Sequence, residues 1–500
     1  MKTTYFYLLL SLILLLAAFL RMYHFPERFG LGSDDARDIM IAQESLIRQR
    51  LPQFGSFSSA GPFVFGPLFY WIIIASKFLF PHSLETPYVV TLLLSIGTVG
   101  VFLGIGYLTG GRRMAIIIGL LAASSPQLVL RSVVLGQHSY VALFGTLALL
   151  FFVLFYKKRR IIYFLAAGVA TGTAVSMHYQ GLNLLLFAPA VFFLPVSLRQ
   201  KIYAFFSFFA GLILTQLPLL YWDSHQQFAN TGNLLDYILI AQYRIYTPNS
   251  WKLFIGNYLP TYWSYVSGGY KSLGILSEIF VGFGCIYLWI RKRFTHPSLV
   301  IFSIFFLLLG INRYYRGERF EGYMIYLVPF ILFASSYVLS KLSKIFTIIL
   351  LAILVMGNIF FLVKILPHQT NHLRQYQDAL QKITSYFPNQ KIALYDYSWL
   401  NSDISYPISL LLSQTTLGNR SGVPVGIHCK NCLSDLPVIT MVNEHPVVVL
   451  DKDLIRDRGS PWLNVNQENL YNGLISQWEQ KNLRTTFSLT LFLRWKLGLK

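Results

Sequence analysis

Long apolar stretches alternate with short polar ones through the first two-thirds of the chain. Apolar segments fall at 4–22, 86–108, 114–133, 139–156, 161–177, 182–196, 202–222, 272–290, 298–312, 323–339 and 345–363. Most approach the length of about 18 to 20 residues that an α-helix needs to cross a bilayer. The pattern predicts an all-α polytopic membrane protein of about eleven spans. One more apolar run, 63–81, opens on Gly66-Pro67 and carries Tyr70 and Trp71, which suit the headgroup level.

Charge orients the spans. Five basic clusters contain no acid: Arg112-Arg113, Lys157-Lys158-Arg159-Arg160, Arg199 with Lys201, Arg291-Lys292-Arg293, and Lys341 with Lys344. Positive residues concentrate in cytoplasmic loops, and these clusters agree with one another because two crossings separate each from the next. With the N-terminus inside, residues 23–85 lie outside, and an odd number of crossings must connect them to Arg112. Parity therefore makes 63–81 an interfacial or half-inserted helix, and the C-terminus is external. The alternative is twelve spans with Arg112-Arg113 outside. Thr4–Leu20 resembles a signal peptide in length, but no A-x-A site follows it, which favours a retained anchor.

Composition agrees with this class. The 500 residues are 54% hydrophobic and 12% charged, half the charge of a soluble domain. The net charge of +20 sits in the short clusters between spans, so it gives no nucleic-acid signature. Residues 364–500 differ in kind: they hold ten acids, fourteen Lys or Arg, and short strand-like runs such as Lys391-Ile-Ala-Leu-Tyr-Asp and Pro446-Val-Val-Val-Leu-Asp. They predict a small extracytoplasmic α/β domain following a transmembrane domain over 1–363. A second external loop, about 223–271, is rich in Tyr, Trp and Asn.

Eleven acids are scattered over 1–363, and two of them, Asp34 and Asp35, are adjacent in the first external loop. Residues 37–50 follow as an amphipathic helix, with Ile39, Ala42 and Leu46 on one face, expected to lie along the membrane surface. Such a pair is commonly a solvated turn or a helix cap.

The surrounding pattern resembles the first external loop of the GT-C glycosyltransferases, with the protein O-mannosyltransferases and the lipid A aminoarabinose transferases as the most similar groups. It comprises an apolar anchor (Thr4–Met22), an acidic pair before Ala (Asp34-Asp35-Ala36), a surface helix (Arg37–Arg50), and a hydrophobic segment opened by Pro-Leu (Gly66-Pro67-Leu68-Phe-Tyr-Trp71). The glycine-patterned span Gly168–Met177 ending at His178, and Arg319-Phe-Glu-Gly-Tyr323 leading to Pro329, continue the resemblance over most of 1–340.

The resemblance implies a polyprenyl-phosphate-sugar donor, an acceptor hydroxyl on a protein, lipid or glycan, and inverting transfer on the extracytoplasmic face of a cell membrane. It implies Asp34 as general base and Asp35 as a second acid near the reacting sugar. Arg319, Arg316, Arg131 and His178 are candidates for the donor phosphate; His138 and Tyr323 are candidates for positioning. Each has a plainer reading, because arginines at span ends equally snorkel to lipid headgroups and histidines there equally serve structure. Two departures stand out: Gly66 occupies the place where related enzymes often carry Lys or His, and Gln137-His138 replaces an acid. No dense metal-ligand motif appears, although the acid pair has the chemistry for a divalent cation. Cys285 reads as packing, and Cys429 with Cys432 as an external disulfide or reduced pair, since His428 alone leaves too few ligands for zinc. A transporter or flippase of lipid-linked sugars is the competing class; it predicts repeats and mid-membrane ionisable groups. A catalytically dead scaffold is a third.

Overall fold

Each apolar segment winds into helix in the computed structural model, which describes residues 3–28, 30–81, 83–240, 250–314, 321–368, 373–396, 407–408, 410–411, 423–427, 438–442, 445–450 and 463–464. The segment after the opening helix α1 (Thr3–Met22) contains α2 (Phe25–Arg28), α3 (Ser33–Ile47) and α4 (Leu68–Leu79). The bundle continues through α5 (Thr86–Ser124), α6 (Pro126–Leu130), α7 (Val141–Lys158), α8 (Ile161–Met177), α9 (Phe187–Ala190), α10 (Leu198–His225) and α11 (Ala229–Leu239). It closes with α12 (Ser250–Leu253), α13 (Leu259–Val266), α14 (Lys271–Ile290), α15 (His296–Tyr314), α16 (Val328–Ser340), α17 (Lys344–Ile365) and α18 (Leu373–Tyr386).

Among the described residues, eight helices are long and apolar enough to cross a membrane. Two spans expected separately, 86–108 and 114–133, run through one 39-residue helix that reverses at Gly111 (φ 70°, ψ −163°), a backbone setting that only glycine adopts freely. The second half of α5 stops earlier than its hydropathy suggests. Pro126 drives Ser125 out of helical geometry (φ −56°, ψ 118°), and the chain restarts as α6. Two arginines, one on the first span and one on α2, brace this region. Buried Arg21 donates from Nη1 to Ala123 O (3.1 Å) and from Nε to Ser95 Oγ (2.8 Å), and Arg28 Nη2 donates to Val129 O (2.8 Å).

The segment expected at 182–196 is wound mostly as 3₁₀ turns over Tyr179–Phe193. Tighter winding lengthens it to about 28 Å, close to the apolar thickness of a bilayer. By the same geometry the twelve residues of α4 reach only about 18 Å, well short of the apolar thickness of a bilayer. The helix expected to lie along the surface is buried on more than one side. Ile39, Met40, Ile41 and Ala42 are each at most 1% exposed, so α3 packs into the protein through neighbouring positions and not through a single stripe.

Helices α8 and α10 approach backbone to backbone at Gly168, Gly172 and Gly211; a Cβ on Gly168 would stand 2.8 Å from Phe208 Cα. Gln216 Nε2 bridges the same pair by donating to Gly172 O (2.6 Å). Beyond the bundle, α18 precedes a five-stranded sheet, β1 (Ile392–Asp396), β2 (Val423–Ile427), β3 (Val438–Val442), β4 (His445–Val449) and β5 (Leu463–Asn464), in the order β3-β4-β2-β1-β5. β1 and β2 are parallel, with Ile392 opposite Val423; the remaining pairs are antiparallel. The expected C-terminal α/β elements are therefore present. Cys429, Cys432 and His428 lie outside the described residues; Cys285 is a buried free thiol.

Candidate active site

The acidic pair sits in the first turn of α3. Gly32 is the N-cap and no side chain caps the helix, so neither Ser33 nor Asp34 has the capping role. Negative side chains in this turn complement the exposed amides of the helix N-terminus. The two carboxylates have opposite surroundings. Asp34 is 79% exposed and accepts from Arg37 Nη1 at 2.7 Å. Half-buried Asp35 accepts from Tyr88 Oη at 2.9 Å, at the head of α5. Burial pushes Asp35 up to about 8, the Tyr88 hydrogen bond opposes this, and the charges of Asp38 and Asp34 add to it. The shift favours the protonated form of Asp35 at neutral pH.

One turn on, Asp38 is buried and its Oδ1 accepts from Arg37 Nε (2.9 Å) and from Tyr70 Oη of α4 (3.1 Å), with Arg37 Nη2 ion-paired to the same oxygen at 2.8 Å. Burial raises Asp38 to about 6 against the pull of Arg37. Desolvation pulls the Arg37 pKa down, but the neighbouring Asp38 and Asp34 raise it on balance, so the guanidinium stays charged.

A cavity of about 570 Å³ lies beside the end of α8, walled by Phe63, Phe65, His178, Gln180, Asn183 and Tyr323 among others. His178 stacks between Phe65 (4.7 Å) and Tyr323 (5.1 Å). Burial lowers its pKa to about 4, so the ring is neutral at neutral pH. Its Nδ1 accepts from Gln180 N (3.3 Å), which leaves the proton on Nε2. Gln180 Nε2 in turn donates to Gly322 O (2.9 Å), fixing the turn that presents Tyr323. The hairpin carrying Phe63 and Phe65 is anchored by its backbone: Val64 N donates to Asn230 Oδ1 (2.8 Å), and Val64 O accepts from Tyr179 Oη (2.7 Å).

Arg131 and His138 form a second group. Arg131 Nη1 donates to His138 Nε2 (2.7 Å), which places the ring proton on Nδ1. Arg131 also borders a water-sized cavity of about 20 Å³ with Thr91, Ser95 and Tyr140. Tyr140 Oη pairs with Thr91 Oγ1 (2.6 Å) and lies within electrostatic reach of Asp35, as His138 does of His178. His178 and Tyr323 thus share the large cavity, Arg131 pairs with His138 beside it, and Asp34 and Asp35 stand at the head of α3. Arg316 and Arg319 lie outside the described residues. Among the described residues no cluster of three or more His, Cys, Asp or Glu could hold a metal ion.

The sequence pattern did not single out Tyr88, Tyr70, Arg37, Asp38 or Gln180 for the site. Arg37 and Asp38 carried a visible signal, two more charges within one helical turn of the acidic pair. The tyrosines and Gln180 carried none, since their partners lie 32 to 142 positions away.

No family model matches the sequence, and no curated protein matches it. Solved structures do match by shape. ArnT from Cupriavidus metallidurans in the apo state superposes with a TM-score of 0.62 at 13% identity, over 91% of this chain and 99% of that one. The same protein bound to undecaprenyl phosphate gives 0.61 at 14% identity, over the same shares of both chains. The Archaeoglobus fulgidus oligosaccharyltransferase AglB, in complex with an inhibitory peptide and a dolichol-phosphate, gives 0.51 at 15% identity, over 77% of this chain and 58% of that one. ArnT, a lipid A aminoarabinose transferase, and AglB are both GT-C proteins, and the helical bundle described here, with its short loop helices and C-terminal sheet, has the GT-C fold.

Proposed function

We propose that this protein is an inverting glycosyltransferase that moves a sugar from a polyprenyl-phosphate donor to an acceptor hydroxyl on a protein, lipid or glycan. The observation that carries the reading is the division of labour within the acidic pair. Asp34 is solvent-facing and ion-paired, while Asp35, its neighbour, is half-buried with a strongly raised pKa. The first suits a base that must meet an incoming hydroxyl; the second adds no competing negative charge beside it at neutral pH.

The reaction is a single displacement. The acceptor oxygen bonds to the anomeric carbon, its proton passes to Asp34, and the bond from that carbon to the phosphate oxygen breaks. The departing phosphate is anionic, and Arg319, Arg316, Arg131 and His178 are the groups proposed to bind it, with His138 and Tyr323 positioning the reactants. The undecaprenyl phosphate and dolichol-phosphate held by the two structural neighbours support this class of donor. The site belongs on the extracytoplasmic face, with the N-terminus in the cytoplasm. Residues 364–500 form the external domain, and loops 23–85 and 223–271 contribute to the acceptor side.

The test is sugar transfer by purified protein in lipid, across a panel of polyprenyl-phosphate sugars, comparing the native protein with Asp34→Asn. Activity falling about 10²- to 10⁴-fold with donor binding retained is the expected result. Unchanged activity in the variant would remove Asp34 from the mechanism. Lipid-linked sugar crossing the bilayer without transfer would replace the enzyme by a flippase.

A further inference from the structure

We infer that Tyr70, Asp38 and Arg37 form a positioning relay that sets the orientation of Asp34. The inference rests on the reading of Asp34 as the base. An aspartate that is 79% exposed in the first turn of a helix has no packing to select its rotamer. Here the selection comes from Arg37. Its guanidinium is held along one edge by Asp38 Oδ1, at 2.9 Å from Nε and 2.8 Å from Nη2, and presents Nη1 to Asp34 Oδ1 at 2.7 Å. Asp38 is 4% exposed and cannot swing away, because Tyr70 Oη donates to the same oxygen from α4. Tyr70 is itself 1% exposed.

The chain of contacts therefore runs from a buried tyrosine on one helix, through a buried carboxylate, to a rigid planar cation, and ends on the exposed carboxylate. Each link restricts the next. One oxygen of Asp34 is engaged by Arg37, and the exposed side chain keeps the other within reach of a hydroxyl. Lysine would not reproduce this, since a point charge on a flexible stem has no second edge to be held by. The position of α4 thereby becomes part of the geometry of the base. That helix starts at Leu68, whose amide donates to Ser176 Oγ of α8 (3.3 Å).

The discriminating experiment measures transfer kinetics, donor binding and thermal stability in lipid for Tyr70→Phe, Asp38→Asn and Arg37→Lys, each alone and combined with Asp34→Glu. A misplaced base slows the chemical step without weakening ground-state donor binding. Asp38→Asn and Arg37→Lys are expected to lower kcat about 10- to 100-fold with donor KM within about twofold. Tyr70→Phe, which removes one hydroxyl and keeps the ring, is expected to give a smaller loss of the same kind. Once Asp34→Glu has already displaced the carboxylate, none of the three should cost much more. Should Asp38→Asn fail to fold, Tyr70→Phe and Arg37→Lys carry the same prediction. Unchanged kcat in all three, or losses that multiply in full with that of Asp34→Glu, would overturn the relay and leave the base standing. Full activity in Asp34→Asn would overturn the base reading itself.

Discussion

Gly66 lies directly against Ser176: a Cβ at Gly66 would stand 2.8 Å from the serine Cα. The same serine's hydroxyl accepts from Leu68 N at 3.3 Å and so holds the first turn of α4. A side chain at position 66 is excluded by α8, which accounts for glycine where the resemblance led to an expectation of Lys or His. Gly66→Ala is expected to push α4 away from α8, to lower stability by about 1–3 kcal/mol, and to reduce transfer activity. Thermal unfolding of the purified protein in lipid, run beside the activity assay, checks both effects.

Asp35 makes stability depend on pH in the direction opposite to an ordinary paired carboxylate. Its pKa rises from 3.8 to about 8 on folding, so between those values the folded protein binds a proton that the unfolded chain does not. Its contribution is fully present below about pH 4 and is lost as pH rises through 8. The native protein should therefore lose Tm relative to Asp35→Asn as pH increases from 4 to 8, with no further divergence above that. Paired melting curves across this range are the measurement. A constant difference would mean that Asp35 titrates normally.

The large cavity gives a prediction separable from catalysis. Leu234 lines it from α11. Leu234→Trp would fill part of the space and should raise the donor KM by on the order of tenfold, while leaving the melting temperature nearly unchanged. Equal kinetics in the variant would show that the lipid donor is accommodated elsewhere.

Close packing of α8 on α10 should matter more than the polar bond beside it. Gln216→Leu removes the donor to Gly172 O and is expected to cost about 0.6 kcal/mol, the size typical of hydrogen bonds between membrane helices. Gly172→Val places a branched side chain where even a Cβ meets Leu212 O at 2.8 Å, and should cost more, about 1–3 kcal/mol or above. Comparing the two variants by thermal unfolding ranks packing against hydrogen bonding at one helix pair.

Much of the fold was legible because hydropathy and charge report directly on the solvent. Apolar length located most of the helices, and the run 63–81 folds as the short helix α4. The sequence was less informative where local chemistry overrides hydropathy, as at Ser125-Pro126, which breaks an apolar run, and at Tyr179–Phe193, where 3₁₀ winding lets a short segment reach further. The acidic pair was conspicuous, but its asymmetry was not. Only tertiary structure sets Asp35 against Tyr88 and leaves Asp34 exposed, because Tyr88 lies 53 positions away on another helix. The relay through Asp38 was hidden for the same reason: Asp38 and Arg37 are neighbours in the chain, yet the hydroxyl that holds them comes from α4.

The reversal at Gly111 has a bearing on how the protein is made. It brings Arg113 back against the start of α17, where Nη2 donates to Leu342 O (2.7 Å) and Thr347 Oγ1 (2.5 Å), while Arg112 reaches Thr3 Oγ1 (3.2 Å). Thr347 lies 234 positions after Arg113. At about 5–20 residues per second a ribosome delivers it roughly 10 to 50 seconds later. Through that interval the early hairpin is threaded into the bilayer with its cationic latch unfastened. The contacts of Arg113 with the start of α17 form only when synthesis of the membrane portion is nearly finished, so a nascent chain halted before residue 347 holds the pairing of α1 with α5 and of α8 with α10 but lacks this latch to the last span.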